Sequence, residues 1–478
     1  MSHHAKILVR QSMVYTIGNL LGRGTTFLLI PVYTHLLTPE GYGIIEIMRA
    51  LFNVLVLVFV LSLDNAVVRF RYDNESDEGY RSFLGSVGIF AVIAAAIIAL
   101  LLDIFRKQAF SWLIPDILLD SYLRIVLWTT CLAVLGRIVV CHYRAVRKPS
   151  PSVLLELLRS LLVVAGSILF VAVLKQGSLG KLWGDFAAYA VYFVISAIIF
   201  LIVAKPAMQL HRISEALKFG LPLVPTALSL WIMSFIDRIM LQQLRTTAEA
   251  GIYSFGYNIG IILALTNIAF SKAWSPFFYE EAQKGTVDKA VPKLATQYVA
   301  LIMFVGLGIC VFSRHAVALL APPEYAYAAT VVPLIIYGYV FFGAWNIFGT
   351  QVSYAKKTLV LTYLTIICAL INVGVNYLLI PSCGMHGAAV ATTLTFIILG
   401  VSSYIAGSKI FYVKYEVKKQ LITLLAFSGL LLVFMNVQTK NLLFTAFIGV
   451  AHLVAFLVIV KLVVGLPGLR QLRSLITR

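Results

Sequence analysis

The chain has 478 residues, of which 60% are hydrophobic and only 12% are charged, with a formal net charge of +18. A soluble protein of this length needs more charge to cover its surface, so the composition excludes an ordinary soluble protein. A basic excess of this size would suit a nucleic-acid partner. The basic residues are instead concentrated in short segments between apolar runs, which argues against that partner.

Long apolar runs recur from one end of the chain to the other, and each reaches the roughly 20 residues that a bilayer-spanning helix needs. We therefore predict an all-α, polytopic membrane protein with about fourteen spans. The predicted spans, numbered in chain order, cover residues 11–36, 42–63, 83–102, 121–141, 152–174, 183–204, 217–240, 251–271, 294–313, 329–350, 358–380, 386–406, 420–436 and 442–464.

The distribution of positive charge predicts the orientation of these spans. With a cytoplasmic N-terminus, 25 of the 38 lysines and arginines fall in predicted cytoplasmic segments and 8 in external segments. This bias follows the positive-inside rule and predicts that both termini are cytoplasmic. The cysteines and histidines are scattered, so we expect no metal and no cofactor, apart from H⁺ or Na⁺ as a coupling ion.

The chain repeats itself at a spacing of about 208 residues, which corresponds to six spans. The segment 36–44 aligns with 244–252, and Gly177–Gly180 aligns with Gly384–Gly387 with one residue of slippage. An even number of spans gives both copies the same orientation, so we expect two six-helix lobes related by a pseudo-two-fold axis along the membrane normal. The predicted divisions are an N-terminal lobe (1–204), a cytoplasmic linker (205–216), a C-terminal lobe (217–407), and two additional helices with a basic tail (408–478).

Polar side chains recur on one face of several spans, and polar groups within a membrane usually face protein or water. The arginines fall in spans 1 and 2, whereas tyrosines and amides fall in span 8, the repeat partner of span 2. This mixture suits a sugar-bearing anion, because arginine pairs with phosphate and the neutral groups meet sugar hydroxyls. The predicted substrate-binding residues are Asn19, Arg23, Arg49, Asn53, Tyr253, Tyr257 and Asn267.

Carboxylates within the spans are candidates for binding a coupling ion: Glu46, Asp64 and Asp237, with Glu156 and Asp185 as further candidates. A structural alternative remains open, in which Glu46 pairs with Arg49 and Asp64 pairs with Arg23.

Other polar residues also allow two interpretations. Arg124, Arg137 and the Glu156/Arg159 pair lie near the ends of predicted spans, where we expect their side chains to reach toward the lipid headgroups. A threonine and asparagine stripe on span 11, which includes Asn372 and Asn376, fits either the wall of a lumen or hydrogen bonding between helices.

Several segments resemble the bacterial flippases of O-antigen and exopolysaccharide synthesis. In the first half these segments are 31–43 and 63–70. In the second half they are 219–225, with two prolines, 235–240, with Asp237 and Arg238, and 251–254. The resemblance covers nearly the whole chain, and the family belongs to the superfamily of multidrug and toxic compound extrusion transporters and lipid II flippases.

The resemblance implies a two-lobe, V-shaped fold with alternating access, and a substrate of oligosaccharide on a polyprenyl diphosphate carrier. Relatives carry arginines on helices 1 and 2 that face a cationic lumen, and Arg23 and Arg49 match that pattern. Lipid II flippases also carry a basic residue well inside helix 8, whereas span 8 here has none before Lys272. The implied partners are the lipid-linked glycan, membrane lipids, and a glycan polymerase or glycosyltransferases of the same pathway.

Three rival functions are weighed against flipping, and the sequence leaves the third, a passive scramblase, open. An ion-coupled multidrug exporter of the same superfamily usually takes cations and would carry a dominant intramembrane carboxylate. A membrane glycosyltransferase or polymerase would need catalytic acids, commonly on a large external loop, but the longest external segment, about 103–120, is short and has no paired-carboxylate motif. We therefore expect a transporter and not an enzyme.

Overall fold

A computed structural model of the protein describes residue 24 and residues 29–71, 76–114, 119–437 and 441–465. These ranges are helical with short connections and contain no strand, which confirms the all-α prediction. The chain divides into two compact units, Met1–Gly251 and Ile252–Arg478. The lobe boundaries at residues 204 and 217 stay a prediction.

The first unit contains ten helices within the described ranges. They are residues 29–36 (α1), Pro39–Val60 (α2), Leu63–Phe70 (α3), Asp77–Ile104 (α4), Arg106–Phe110 (α5), Arg124–Ala145 (α6), Pro149–Ser167 (α7), Gly177–Val203 (α8), Leu210–Gly220 (α9) and Val224–Leu244 (α10). A π-helical turn at Leu119–Leu123 precedes α6, and another at Ile168–Val173 extends α7. Residues 210–216 of the segment predicted as a linker lie in helix α9.

The second unit begins within α11 (Thr247–Gly260), whose first turn still belongs to the first unit. The helices that follow are Ile262–Gln283 (α12), Val287–Leu320 (α13), Val332–Tyr354 (α14), Thr358–Ile410 (α15), Val417–Val437 (α16) and Leu442–Val464 (α17). A 3₁₀ segment at Pro323–Thr330 precedes α14.

Helix α15 is a hairpin of two antiparallel helices. Its 53 residues would extend about 80 Å if straight, more than twice the thickness of a bilayer core. Gly384 has a φ of 53°, which ends one helix and begins the next. The side chains of Asn372 and Thr395, 23 residues apart, are joined by a hydrogen bond of 3.2 Å. The chain therefore folds back at Gly384, as predicted for spans 11 and 12.

Eleven helices of the described ranges are long and apolar enough to cross a membrane, and the pair α11 and α12, bent by about 40°, gives a twelfth. Counting α15 as two crossings, as its hairpin requires, brings these ranges close to the predicted number. The first predicted span lies mostly outside the described residues, so the total of fourteen stays a prediction. The protein is a multi-pass membrane protein.

Local sequence explains where several helices begin. Before α2, the Thr38 hydroxyl accepts a hydrogen bond from the Gly41 N–H (3.2 Å), and Pro39 fills the first helical position, where no N–H is needed. Before α4, the Ser76 hydroxyl accepts from the Gly79 N–H (3.1 Å), and acidic residues in the first turn favour the positive end of the helix dipole. The first of these caps fixes the start of α2, a helix that lines the candidate site.

The structure repeats its turns at the spacing read from the sequence. Arg147, between α6 and α7, has a φ of 56°, and Lys356, in the corresponding turn between α14 and α15, has a φ of 58°. The glycines at the next pair of turns also correspond, since Gly177 has a φ of 63° and Gly384 a φ of 53°. Positive φ is uncommon in residues other than glycine, so the matching turns support a true internal repeat.

One contact within the first unit joins two segments that are repeat partners. A Cβ atom on Gly43 of α2 would lie 2.1 Å from the carbonyl oxygen of Thr247, and one on Gly251 would lie 2.1 Å from the carbonyl oxygen of Pro39. Thr247 and Gly251 follow Pro39 and Gly43 by 208 residues, so the contact is reciprocal. Only glycine lets the two backbones approach this closely, as at other small-residue crossings in membranes.

Single cysteines in a cysteine-free variant should report the predicted orientation. Positions Lys148, Lys284 and Lys414 lie in turns between spans, and we expect a membrane-impermeant thiol reagent to reach them from the cytoplasm. Positions Lys107 and Arg245 should react from the other side. Reaction of two of these five positions from the wrong side would contradict the orientation that the charge distribution predicts.

Candidate substrate cavities

Two cavities lie within the first unit, one after the other along α2. The first has a volume of about 350 Å³ and is lined by residues of α2 from Ile45 to Asn53, together with α1, α6, α7 and α8. The second has a volume of about 630 Å³ and is lined by α2 from Phe52 to Leu57, together with α3, α6, α7, α8 and α10. Volumes in this range are typical of sites for small ligands.

The two cavities share one wall, formed by side chains of α2, α7 and α8. The Arg159 guanidinium of α7 donates a hydrogen bond of 3.1 Å to the hydroxyl of Tyr189 on α8. The Tyr189 ring in turn lies 5.4 Å from the ring of Phe52 on α2. The shared residues are Phe52, Asn53, Glu156, Arg159 and Tyr189.

Each of the four carboxylates that line the cavities is paired with a different cation. Glu46 pairs with Arg49 at 3.3 Å, Asp64 with Arg137 at 2.6 Å, and Glu156 with Arg144 at 2.5 Å. The fourth pair is Lys181 with Asp185 on α8. The side chains of Arg49, Arg137 and Arg144 remain 46%, 44% and 43% exposed, so each arginine still presents N–H donors to its cavity.

Arg159 is the fifth cation of the two linings, and it has no carboxylate within ion-pair distance among the described residues. Its guanidinium is bonded to a neutral phenol, Tyr189, so its positive charge is not neutralised by a paired acid. This charge lies in the wall common to both cavities. The lining therefore carries five cations against four carboxylates, and the excess positive charge is at Arg159.

A second charged group lies behind the first cavity, between α2 and α10. The Arg238 guanidinium donates to the Asp237 carboxylate at 3.0 Å, and its Nε lies 4.0 Å from the Glu46 carboxylate. Both Asp237 and Arg238 are only 1% exposed. The Trp231 indole N–H also joins the helices, donating to the Ala50 carbonyl at 3.0 Å. Among the described residues, no group of three histidine, cysteine, aspartate or glutamate side chains is placed to hold a metal.

A family model described as polysaccharide biosynthesis protein matches residues 8–281, more than half of the chain. The chain belongs to the polysaccharide biosynthesis protein family. A second model, described as MatE, matches residues 222–378. Over 463 residues, this family member is 22% identical to the probable low-salt glycan biosynthesis flippase Agl15 of Haloferax volcanii, and the match covers 93% of each chain.

Solved structures with the same fold include two kinds of transporter. The lipid II flippase MurJ, in an inward closed conformation, superposes with a TM-score of 0.76 at 17% identity, covering 95% of this chain and 99% of its own. A multidrug resistance MATE family transporter in an inward-facing conformation gives a TM-score of 0.66 at 15% identity, covering 85% and 97%. At these identities the likeness shows a shared fold.

In this polysaccharide biosynthesis protein, the predicted residues of span 2 line the cavities. Arg49 and Asn53 both line the first cavity. Arg49 also pairs with Glu46, as in the structural alternative, so the ion pair and the position in the cavity wall occur together. Asp64 lines the second cavity but pairs with Arg137. Asn19 and Arg23 lie outside the described residues, so their predicted contacts are not described.

The predicted residues of span 8, which lie on α11 and α12, are in the interior of the second unit. Tyr253, Tyr257 and Asn267 are at most 1% exposed. The Tyr257 and Tyr339 hydroxyls lie 2.8 Å apart, and the Asn267 amide donates to the Tyr339 carbonyl at 2.9 Å. Their role in binding substrate stays a prediction.

The threonine and asparagine stripe of span 11 forms hydrogen bonds within the α15 hairpin. Asn372 and Asn376 are fully buried, the Asn376 amide donates to the Asn372 side chain at 3.0 Å, and Asn372 bonds to Thr395. The structure therefore supports hydrogen bonding between helices at Asn372, whereas the bond of Asn376 lies within one helix.

The expectation that Arg137, Glu156 and Arg159 reach toward lipid headgroups was wrong. Arg137 lies within α6 and pairs with Asp64 of α3, while Glu156 and Arg159 face both cavities. The sequence carried one signal that these residues share a site, because Arg137 and Arg144 are seven residues apart and therefore lie on one helix face. Arg124, by contrast, pairs with Asp103 at 3.1 Å and lines neither cavity.

Proposed function

We propose that this protein flips an oligosaccharide linked to polyprenyl diphosphate across the cytoplasmic membrane, by alternating access and without covalent chemistry. The observation that carries the proposal is the uncompensated positive charge of Arg159 in the wall between the two cavities. The family, and the description of the Haloferax volcanii relative as a probable low-salt glycan biosynthesis flippase, favour a lipid-linked glycan as the cargo.

A diphosphate fits this position by charge and by geometry. Guanidinium groups bind phosphate oxygens through two parallel hydrogen bonds, and the bonds are strengthened by the opposite charges. Arg159 and Arg49 both line the first cavity, while Arg159, Arg137 and Arg144 line the second. A diphosphate at Arg159 would therefore neutralise the excess charge and accept further bonds from the exposed donors of the neighbouring arginines.

Replacement of Arg159 separates this proposal from a structural role. Because Arg159 has no paired carboxylate, Arg159→Gln leaves no buried acid without a partner, and we expect a normal amount of membrane-inserted protein. Hydrogen bonds to charged groups contribute about 1.5–3 kcal/mol, so we expect export of the glycan to fall about tenfold or more. Arg159→Lys should retain part of the activity, since the charge survives without the planar fork.

The measurement is the amount of surface polysaccharide in a strain that lacks its own copy of the gene, normalised to the amount of protein in the membrane. Arg124→Gln is the matched control, since Arg124 lines neither cavity. Normal export by well-expressed Arg159→Gln would contradict the proposal.

The second candidate function, an ion-coupled multidrug exporter, is favoured by the shared fold with a MATE transporter and by the MatE match. The charge balance of the cavities argues against it. A cationic drug would have to displace an arginine or lysine from one of four carboxylates, and it would meet the free charge of Arg159. Drug efflux that persists when glycan export is lost would favour this alternative.

The remaining features of the proposal follow from the same assignment. We propose an inner membrane of a bacterium, with both termini in the cytoplasm, and H⁺ or Na⁺ as the coupling ion. The carboxylates Glu46, Asp64 and Asp237 are the candidate ion sites, although each has an arginine partner in this structure. The proposed partners are enzymes that build or polymerise the glycan on either side of the membrane.

A further inference from the structure

The second cavity is lined by more aromatic rings than the first cavity. On α10, the rings of Trp231 and Phe235 lie one helical turn apart and nearly parallel, with centroids 6.4 Å apart and an angle of 20°. From α2 and α8 come Phe52, Tyr189 and Tyr192, with ring centroids 5.4 Å and 6.3 Å apart along the series. Only Tyr33 and the shared Phe52 and Tyr189 are aromatic in the described lining of the first cavity.

Planar polar groups accompany these rings. The Asp64–Arg137 and Glu156–Arg144 pairs both line the second cavity, as do Asn53 and Ser234. A sugar hydroxyl is both a donor and an acceptor, so a carboxylate paired with a guanidinium can accept from one hydroxyl and donate to its neighbour. The flat C–H face of a sugar ring is apolar and suits an aromatic surface.

We propose that the second cavity is the binding site for the sugar that is bonded directly to the diphosphate, and that its rings and ion pairs select that sugar. This proposal rests on the proposed function. The sugar is covalently attached to the phosphate, so a diphosphate held at Arg159 places the sugar in an adjoining space. The second cavity adjoins Arg159, is the larger of the two, and alone combines five aromatic rings with two exposed arginines.

Phe235 is the residue that tests the site most directly. It lines only the second cavity, is partly exposed there, and belongs to the two-ring surface of α10. Phe186 of α8 is the matched control, because it is also a partly exposed phenylalanine on a spanning helix but lines neither cavity.

The experiment measures the affinity of the purified, full-length protein in detergent for four soluble probes. These are farnesyl diphosphate alone and farnesyl diphosphate carrying N-acetylglucosamine, glucose or galactose. We expect at least one sugar-bearing probe to bind about three- to tenfold more tightly than farnesyl diphosphate. Phe235→Leu should remove this gain without changing the affinity for farnesyl diphosphate. Phe235→Tyr and Phe186→Leu should retain it.

A different variant, Arg159→Gln, should weaken the binding of all four probes, and this difference separates the two proposals. If farnesyl diphosphate binds in an Arg159-dependent manner but no sugar adds affinity, the sugar site is overturned and the flippase proposal stands. A gain that survives in Phe235→Leu also overturns the sugar site. If none of the probes binds, the flippase proposal itself fails.

Thermal unfolding of each variant establishes that it is folded. Should Phe235→Leu not fold, Ser234→Phe serves the same purpose. Ser234 lines the second cavity, and its hydroxyl donates to the Leu230 carbonyl of its own helix. A substitution at Ser234 keeps the backbone carbonyl that accepts from Arg238, and a large side chain there would occupy the space of the sugar. If folded Ser234→Phe still binds a sugar-bearing probe more tightly than farnesyl diphosphate, the proposed sugar site is equally overturned.

Discussion

Arg137→Ala is expected to reduce the amount of folded protein severely, and a second substitution, Asp64→Asn, is expected to restore it. Asp64 is only 5% exposed, and its carboxylate accepts a hydrogen bond of 2.6 Å from the Arg137 Nε. Removing one partner of a buried ion pair leaves an uncompensated charge, which typically costs about 3–5 kcal/mol. Replacing the acid by a neutral amide removes that charge.

The measurement is the unfolding temperature and the yield of monodisperse protein in detergent for the two single variants and the double variant. Arg124→Ala is the control, since its acid, Asp103, keeps a second arginine, Arg106, at 3.7 Å and a hydrogen bond from the Trp128 indole at 3.2 Å. A wild-type yield of Arg137→Ala would contradict this account, as would a double variant no better than the single one. Arg159→Gln should match the control because it strands no acid.

Gly43→Ala and Gly251→Ala are each expected to destabilise the protein by about 1–3 kcal/mol, the usual cost of forcing extra atoms into a packed contact. The added Cβ would lie 2.1 Å from a backbone carbonyl oxygen in both cases, and a backbone cannot move aside as a flexible side chain does. The two substitutions act on one contact, so the double variant should lose less stability than the two single losses combined.

Gly41→Ala provides the control on the same helix. A Cβ at Gly41 would meet its nearest neighbour, the Leu37 Cβ, at 3.5 Å, which is an ordinary contact. Thermal unfolding of the four variants in detergent measures the losses. Equal unfolding temperatures for Gly41→Ala and Gly43→Ala would show that the reciprocal contact is not tight in the membrane-inserted protein.

Hydropathy and turn chemistry predicted most of the fold, because a bilayer imposes the length and polarity of each crossing. The repeat was also visible in sequence, since glycines such as Gly177 and Gly384 are needed where φ is positive. A hydropathy profile predicts how deep a charged residue lies in the membrane. It carries little information about which neighbouring side chains that residue contacts. Arg159 was therefore assigned to the headgroups, although it lies between two cavities.

The candidate site depends on contacts between distant segments, which one sequence does not reveal. The structural alternative paired Asp64 with Arg23, whereas its partner among the described residues is Arg137, 73 residues away. The aromatic lining of the second cavity likewise draws Phe52, Tyr192 and Phe235 from three helices. Each of these rings alone has the pattern of an ordinary buried residue.

The short turns before α8 and within α15 also bear on how the chain enters the membrane during synthesis. Three residues, Leu174–Gln176, connect the helical segment that ends at Val173 to α8, and α15 reverses at Gly384. A connection of three residues extends about 10 Å and cannot cross a bilayer core of about 30 Å, so both helices must present this end on the same side. The two helices of each pair therefore take their orientations together during insertion. If one helix inserted with the wrong orientation, its neighbour would be inverted as well.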